Sequence, residues 1–238
     1  MKWRTFSRVS AGLLVVASLT GCNSKTVNSQ MTEPAAEKNV QESMLREEEQ
    51  PTVLADEDGS NILIAYFAVA ENSDVDAISS ASMVTINGEA EGRVQHLAKL
   101  IQKETDGEMF SIQTSVDYPG DGSKLIDYAA QEQDDDARPE ITNHIENFDS
   151  YDVVFVGYPT WWYDLPQVMY SFFDEYDFSG KTIIPFNSHN GSRFSNTIST
   201  ITELEPNAKV ITEGFTVNEK DVAAAGEDIA LWLQELGF

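Results

Sequence analysis

Tyr158, Pro159, Thr160, Trp161, Trp162 and Tyr163 place four large rings directly after a run of apolar residues, Val153, Val154, Phe155 and Val156. That run, bounded by Asp152 and Gly157, reads as a strand buried on both faces of a sheet. Open α/β sheets put their ligands just past the carboxyl ends of such strands, and rings there can stack on a flat aromatic ligand. The competing reading is a cap on the sheet edge, although one ring usually suffices for that and a cluster is costly to leave in water. Residues 187–192 (NSHNGS) form a second polar loop after an apolar run. Other chemistries lose support. The sequence contains no Walker phosphate loop, GxSxG elbow or GxGxxG fingerprint, and its single cysteine permits no internal disulfide and no cysteine metal cluster. Residues 132–136 (EQDDD) could attract a divalent cation, but consecutive side chains rarely converge and no EF-hand glycine is present; acids there suit the start of a helix after Arg138 and Pro139.

The amino terminus reads as an address. Lys2, Arg4 and Arg8 precede an apolar run from Ala11 to Leu19, too short to span a bilayer, which ends in Leu19-Thr20-Gly21-Cys22. The pattern resembles the bacterial lipoprotein lipobox, which implies that residues 1–21 are a signal peptide and that Cys22 becomes a lipidated amino terminus. Residues 22–58 are polar and nearly free of aromatics, the composition of a disordered tether. The remainder, residues 59–238, is long enough for one domain with a substantial core. The chain's formal charge is −25, and loss of residues 1–21 removes three cations and no acid. Such a surface repels nucleic acid and suits neutral small molecules or cationic proteins.

Periodicity supplies the elements that must position the loops. Residues 61–67 (NILIAYF) read as a buried strand and residues 93–104 as a helix with Val94, Leu97, Ala98 and Ile101 on one face. Residues 108–113 form a short strand, followed by an irregular acidic stretch. Residues 139–148 carry Ile141, Ile145 and Phe148 at spacings of four and three. Residues 165–176 are helical after a proline suited to a first turn. Residues 181–187 are a fourth strand, 193–204 a helix, 208–212 a fifth strand and 219–236 a closing amphipathic helix. Alternation of this kind argues for a parallel sheet covered on both faces.

With residues 157–162 (GYPTWW) after the third strand and residues 176–186 (YDFSGKTIIPF) leading into the fourth, the chain from about Ile62 onward resembles the flavodoxin-like proteins, particularly their bacterial lipoprotein branch. The resemblance implies an α/β, doubly wound, five-stranded parallel sheet of order 2-1-3-4-5 with FMN between the first and third strands. Flavodoxin is itself an example from which the switch-point rule is drawn, so that placement is inherited from the family.

It further implies three loops around FMN. The loop after the first strand would hold the phosphate at a helix start, but Ala68 stands where the family has serine, and Gly92-Arg93-Val94 replaces Gly-Asn-Thr. Arg93 could pair with the phosphate through its guanidinium. Asn72, Ser73, Ser79, Ser80 and Ser82 of the intervening insertion are candidates to refill the lost polar contacts. In the second loop Tyr158 through Tyr163 would stack on the flavin, with Trp161, Trp162 and Tyr163 leading and Tyr163 standing where relatives often have glycine. In the third, Ser188, His189 and Gly191 would border the pyrimidine end, where His189 could donate to a reduced flavin. His96 and His144 read as structural. The expected function is electron transfer or flavin-dependent reduction of a small acceptor outside the bacterial cytoplasm, at low potential, with a redox protein or small acceptor as partner. The alternative is a shell that has lost FMN and serves as a non-catalytic surface binding protein; a third reading replaces FMN by a flat ligand without phosphate.

Overall fold

The computed structural model describes residues 61–73 and 82–238. The signal peptide, the tether, Cys22, Ser79 and Ser80 lie outside the described residues. The chain forms β1 (Ile62–Tyr66), a hairpin of β2 (Met83–Ile86) and β3 (Glu89–Gly92), α1 (Arg93–Thr105), β4 (Glu108–Ser111), α2 (Gly122–Asp134), β5 (Val153–Pro159) and α3 (Gln167–Glu175). It continues through β6 (Thr182–His189), α4 (Thr197–Leu204), β7 (Lys209–Val210), β8 (Phe215–Asn218) and α5 (Gly226–Leu236). The sheet is parallel, in the order β4-β1-β5-β6, with β7 and β8 both paired to the outer side of β6. With the two short strands counted as one broken strand, this is the expected 2-1-3-4-5 order. No helix among the described residues is long and apolar enough to cross a membrane.

Strand alternation sorts the interior into two layers. Leu63, Ala65, Val154, Val156 and Ile183 face α2, α3 and α4 through Leu125, Val168, Met169, Phe172 and Ile201. Ile64, Tyr66, Val153, Phe155, Ile184 and Phe186 face α1 and α5 through Leu97, Ala98, Ile101, Ile229 and Leu233. Helices therefore cover both faces of the sheet.

The structure corrects the sequence reading in four places, each with a local cause, and trims two helices. The fifth strand is not residues 208–212 but two pieces. Ile211 donates its N–H to the carbonyl of Ile183, and since alternate residues of a strand face a given neighbour, the next donor toward that edge is residue 185. It is Pro185, which has no N–H. The chain swings out over residues 211–214 and rejoins at Phe215 opposite Phe186. Secondly, the stretch read as irregular contains α2. Its start is fixed by Asp121, whose carboxylate accepts the N–H groups of Ser123 and Lys124 at 3.1 and 3.0 Å. Thirdly, Glu132 to Asp136 close this helix rather than opening one, and Glu132 turns into the core. Finally, residues 139–147 are not helical despite the spacing of Ile141 and Ile145. Thr142 bonds the Gln113 carbonyl as an extended segment would, and only residues Phe148–Ser150 make a helical turn. The helices read over 193–204 and 219–236 are shortened to α4 and α5, because turns occupy the residues before each of them.

Gly157 is dictated by packing. It pairs with Phe186 across the sheet, and a Cβ at position 157 would stand 2.2 Å from the Phe186 ring. Gly157→Val is expected to destabilise the fold by about 1–3 kcal/mol, an overpacking cost, measured as a lower urea midpoint. Adding Phe186→Leu should recover part of the loss if the clash is the cause.

Candidate functional site

The order of the sheet reverses at β1: the chain leaves it for β4 on one side and returns to β5 on the other. The carboxyl ends of β1, β5 and β6 border a cavity of about 290 Å³.

The first wall is the segment after β1. Phe67 donates to the carbonyl of Gly157, and a helical turn follows at Val69–Glu71. Ala68 and Val69 are buried at the cavity wall. Ala68 packs closely on the residue before α1, since a Cβ at Gly92 would lie 3.0 Å from its own. Arg93 and Val94, the first residues of α1, border the same end, with the Arg93 N–H donated to the carbonyl of Ser82 at 3.0 Å. Arg93 Nη1 donates to Glu219 Oε2 at 3.2 Å, while its Nε is buried without a hydrogen-bond partner among the described residues. Asn72, a candidate ligand residue in the sequence, is instead a buried joint. Its amide donates to the carbonyls of Ala68 and Ile112, and its Oδ1 accepts the Thr114 N–H. Ser73 is also outside the cavity lining, with its hydroxyl buried.

The second wall is the aromatic loop. Trp161 and Asp164 exchange both backbone hydrogen bonds, at 3.0 and 2.8 Å. Trp162 and Tyr163 between them have φ of 45° and 68°, the sign pattern of a type I′ turn. Asp164 pins this turn by accepting from Thr200 Oγ1 at 2.8 Å and from the Tyr170 hydroxyl at 3.0 Å. The four rings then part company. Trp161 turns inward, edge-on to Phe67 and Tyr118 at 5.8 and 5.6 Å between centroids. Trp162 stands half exposed at the rim and its Nε1 donates to the carbonyl of Ile126 at 3.0 Å. Tyr158 is not a site residue but core: it is fully buried and its hydroxyl donates to Thr197. Tyr163 points away from the cavity and is 64% exposed. Its positive φ explains a preference for glycine at this position. Pro159 and Thr160 line the cavity, and Thr160 bonds the carbonyl of Arg193.

The third wall follows β6. Ser188, His189 and Asn190 line the cavity, whereas Gly191 does not. Gly191, with φ of 100°, serves by its N–H, which donates to His189 Nδ1 at 2.8 Å. That bond leaves the His189 proton on Nε2. Burial first, and the Arg193 charge second, lower the His189 pKa, and Glu219 opposes them; the imidazole is thus neutral at pH 7.

Sequence reasoning missed two contributors. The α2 wall supplies Leu125, Ile126 and Ala129, and the signal was there in Asp121 as a cap followed by apolar residues four apart. Glu219 arrives because β8 runs beside β6, and its N–H donates to the His189 carbonyl at 2.8 Å; nothing local in the sequence marks it.

The cavity therefore has a polar end, at Arg93, Glu219, Ser188 and His189, and an apolar end, at Trp161, Trp162 and α2. This defines a doubly wound α/β domain with a cavity at its switch point that is polar at one end and apolar at the other. The sequence profile of the flavodoxin family matches residues 80–236, and the chain belongs to that family. A protein provisionally named a flavoprotein from Bacteroides uniformis ATCC 8492 is 24% identical, with a TM-score of 0.58 over 74% of this chain and 99% of its own. A similarly named protein from Bacteroides eggerthii DSM 20697 is 26% identical, with a TM-score of 0.53 over 72% of this chain and 99% of its own. A flavoprotein in complex with FMN from Lactobacillus acidophilus NCFM is 19% identical, with a TM-score of 0.50 over 70% of this chain and 98% of its own, a likeness of fold. No curated protein matches the chain.

Behind Trp161, the Tyr118 hydroxyl donates to both oxygens of buried Glu132, at 3.3 and 3.4 Å. Burial pushes the Glu132 carboxyl from its ordinary 4.5 up to about 7, against the Tyr118 hydrogen bond. Because the folded state holds this proton more tightly than the unfolded chain, the contribution of Glu132 to stability is full below 4.5 and is lost as pH rises to about 7. Glu132→Gln is expected to remove the share of the pH slope due to Glu132, leaving the share of Glu205, which burial also raises to about 7, and to gain on the order of 1–3 kcal/mol over the wild type at pH 8 relative to pH 4, read from urea unfolding at both pH values.

Proposed function

We propose that this cavity binds FMN and that the protein transfers electrons to a redox partner or reduces a small acceptor, held outside the bacterial cytoplasm by a lipid on Cys22. The observation that carries the reading is one cavity at the switch point with a guanidinium at the start of α1 at one end and two tryptophans at the other. The residues present fit the group. Arg93 retains an unpartnered buried Nε, and a helix start favours an anion. Trp161 and Trp162 offer faces and edges for a flat ring, each such contact being worth on the order of 1–3 kcal/mol.

FMN, when bound, supplies the one- and two-electron chemistry. The chain's own residues do the rest. Arg93 holds the phosphate end, Trp161 and the apolar face of α2 keep water from the ring end, and neutral His189 offers a single N–H at Nε2. The acidic chain disfavours further negative charge in the site, which lowers the potential, although charges beyond about 8 Å are largely screened at physiological salt.

Titration of FMN into the purified chain should quench tryptophan fluorescence saturably, with a Kd of about 1 μM or tighter. Trp161→Ala should weaken binding by about 10- to 100-fold. A folded chain that binds no flavin would move the reading to a cofactor-free binding protein, which Ala68 and Val94 at the phosphate end favour. For the anchor, Cys22→Ser is expected to release the protein from the membrane fraction of expressing cells; an unchanged distribution would remove the lipid.

A further inference from the structure

The polar end of the cavity carries its own anion. Arg93 and Glu219 face each other at 3.2 Å with side chains 19% and 26% exposed, and both line the cavity. Sheet geometry rather than a loose loop brings the acid there. β8 pairs with β6 through Asn218 and His189, and the Glu219 N–H then donates to the His189 carbonyl. Its neighbours offer little to replace the guanidinium. Ser82 and Ser188 line the cavity but, like the single N–H of His189, bring no positive charge, and Ala68 and Val94 bring no hydroxyl.

We infer that Glu219 is a specificity-determining residue, whose carboxylate competes with the ligand's phosphate for Arg93 and so sets how strongly the site distinguishes a phosphorylated flavin from its phosphate-free parent. The inference rests on the FMN reading above. A phosphate and a carboxylate both seek the guanidinium fork, and in a half-buried site they repel each other when both lie against one cation. The phosphate can take the Nε side that Glu219 leaves open or displace Glu219 from Nη1; on either course two anions share one cation. Either way part of the attraction between Arg93 and the phosphate is spent against Glu219. Riboflavin, which leaves the Arg93–Glu219 pair intact, escapes that opposition. The site is thereby tuned toward accepting both flavins, and removal of one carboxylate restores phosphate selectivity.

The test is a titration of FMN and of riboflavin into the wild-type chain and into Glu219→Gln, Glu219→Ala and Arg93→Met, followed by tryptophan fluorescence, with circular dichroism to confirm folding. Both Glu219 variants should raise the ratio of FMN to riboflavin affinity by about tenfold, while riboflavin affinity alone changes by less than about twofold. Arg93→Met should lower the ratio. A wild type that binds FMN, with Glu219 variants whose ratio is unchanged or lowered, overturns the role of Glu219 and leaves the FMN reading standing. A folded wild type that binds neither flavin overturns both.

Discussion

The buried amide of Asn72 is the joint on which the site depends. It takes hydrogen bonds to and from the exit of β1, at Ala68, and the exit of β4, at Ile112 and Thr114, while its own carbonyl accepts the N–H of Tyr118. Three segments beyond the end of the β1–β4 ladder are thus tied together by one residue, as buried backbone groups require. Its position fixes Ala68 and Val69 at the cavity wall and sets Tyr118 beneath Trp161. Glu71 adds a second tie beside it, accepting from Ser111 and Gln95. Losing such a joint leaves buried donors and acceptors unmatched, at about 1–3 kcal/mol each.

Much of the fold was legible because its strands are continuous apolar runs and parallel sheets are buried on both faces. Val153 to Val156 and Ile183 to Phe186 could be little else. What was hidden depended on neighbours. The break in the fifth strand is caused by Pro185, which sits in the adjacent strand, so inspection of residues 208–212 could not reveal it. The helix α2 carries a cap at Asp121 and apolar Leu125 and Ala129 four apart, but Glu132 on the same buried face interrupts the apolar period and weakens that signal. Within the site, the aromatic loop was visible as a loop but its rings were not separable. Trp161 enters, Trp162 rims, Tyr158 is core and Tyr163 is solvent-facing, a division made by two positive φ values that composition does not encode. Glu219 was beyond reach because the register of β8 against β6 puts it there.

Charge is distributed unevenly in function as well as in number. The chain is strongly acidic, yet the acids that matter structurally are those placed indoors: Asp164 closing the aromatic turn, Asn72's neighbour Glu71, and Glu132 behind Trp161. Burial raises the pKa of Glu71 and of Glu132, so these two hold their protons more readily than an exposed carboxylate does. His96 and His144 are tied to Glu91 and Glu175, away from the cavity lining, which leaves His189 as the imidazole of the site.

The turn at Trp162 and Tyr163 bears on the entropy of capture. Two residues with full side chains held in the left-handed region cost of order 1–3 kcal/mol each, and such conformations persist only where the surroundings over-determine them. Here Asp164, Thr200, Tyr170 and the carbonyl of Ile126 do so. The strain is met when the chain folds, so the indole at the rim waits in one orientation instead of searching for it during each encounter. A ligand entering this mouth would meet an indole already held by these bonds, and less ordering entropy would be lost on capture than with a loosely held aromatic loop.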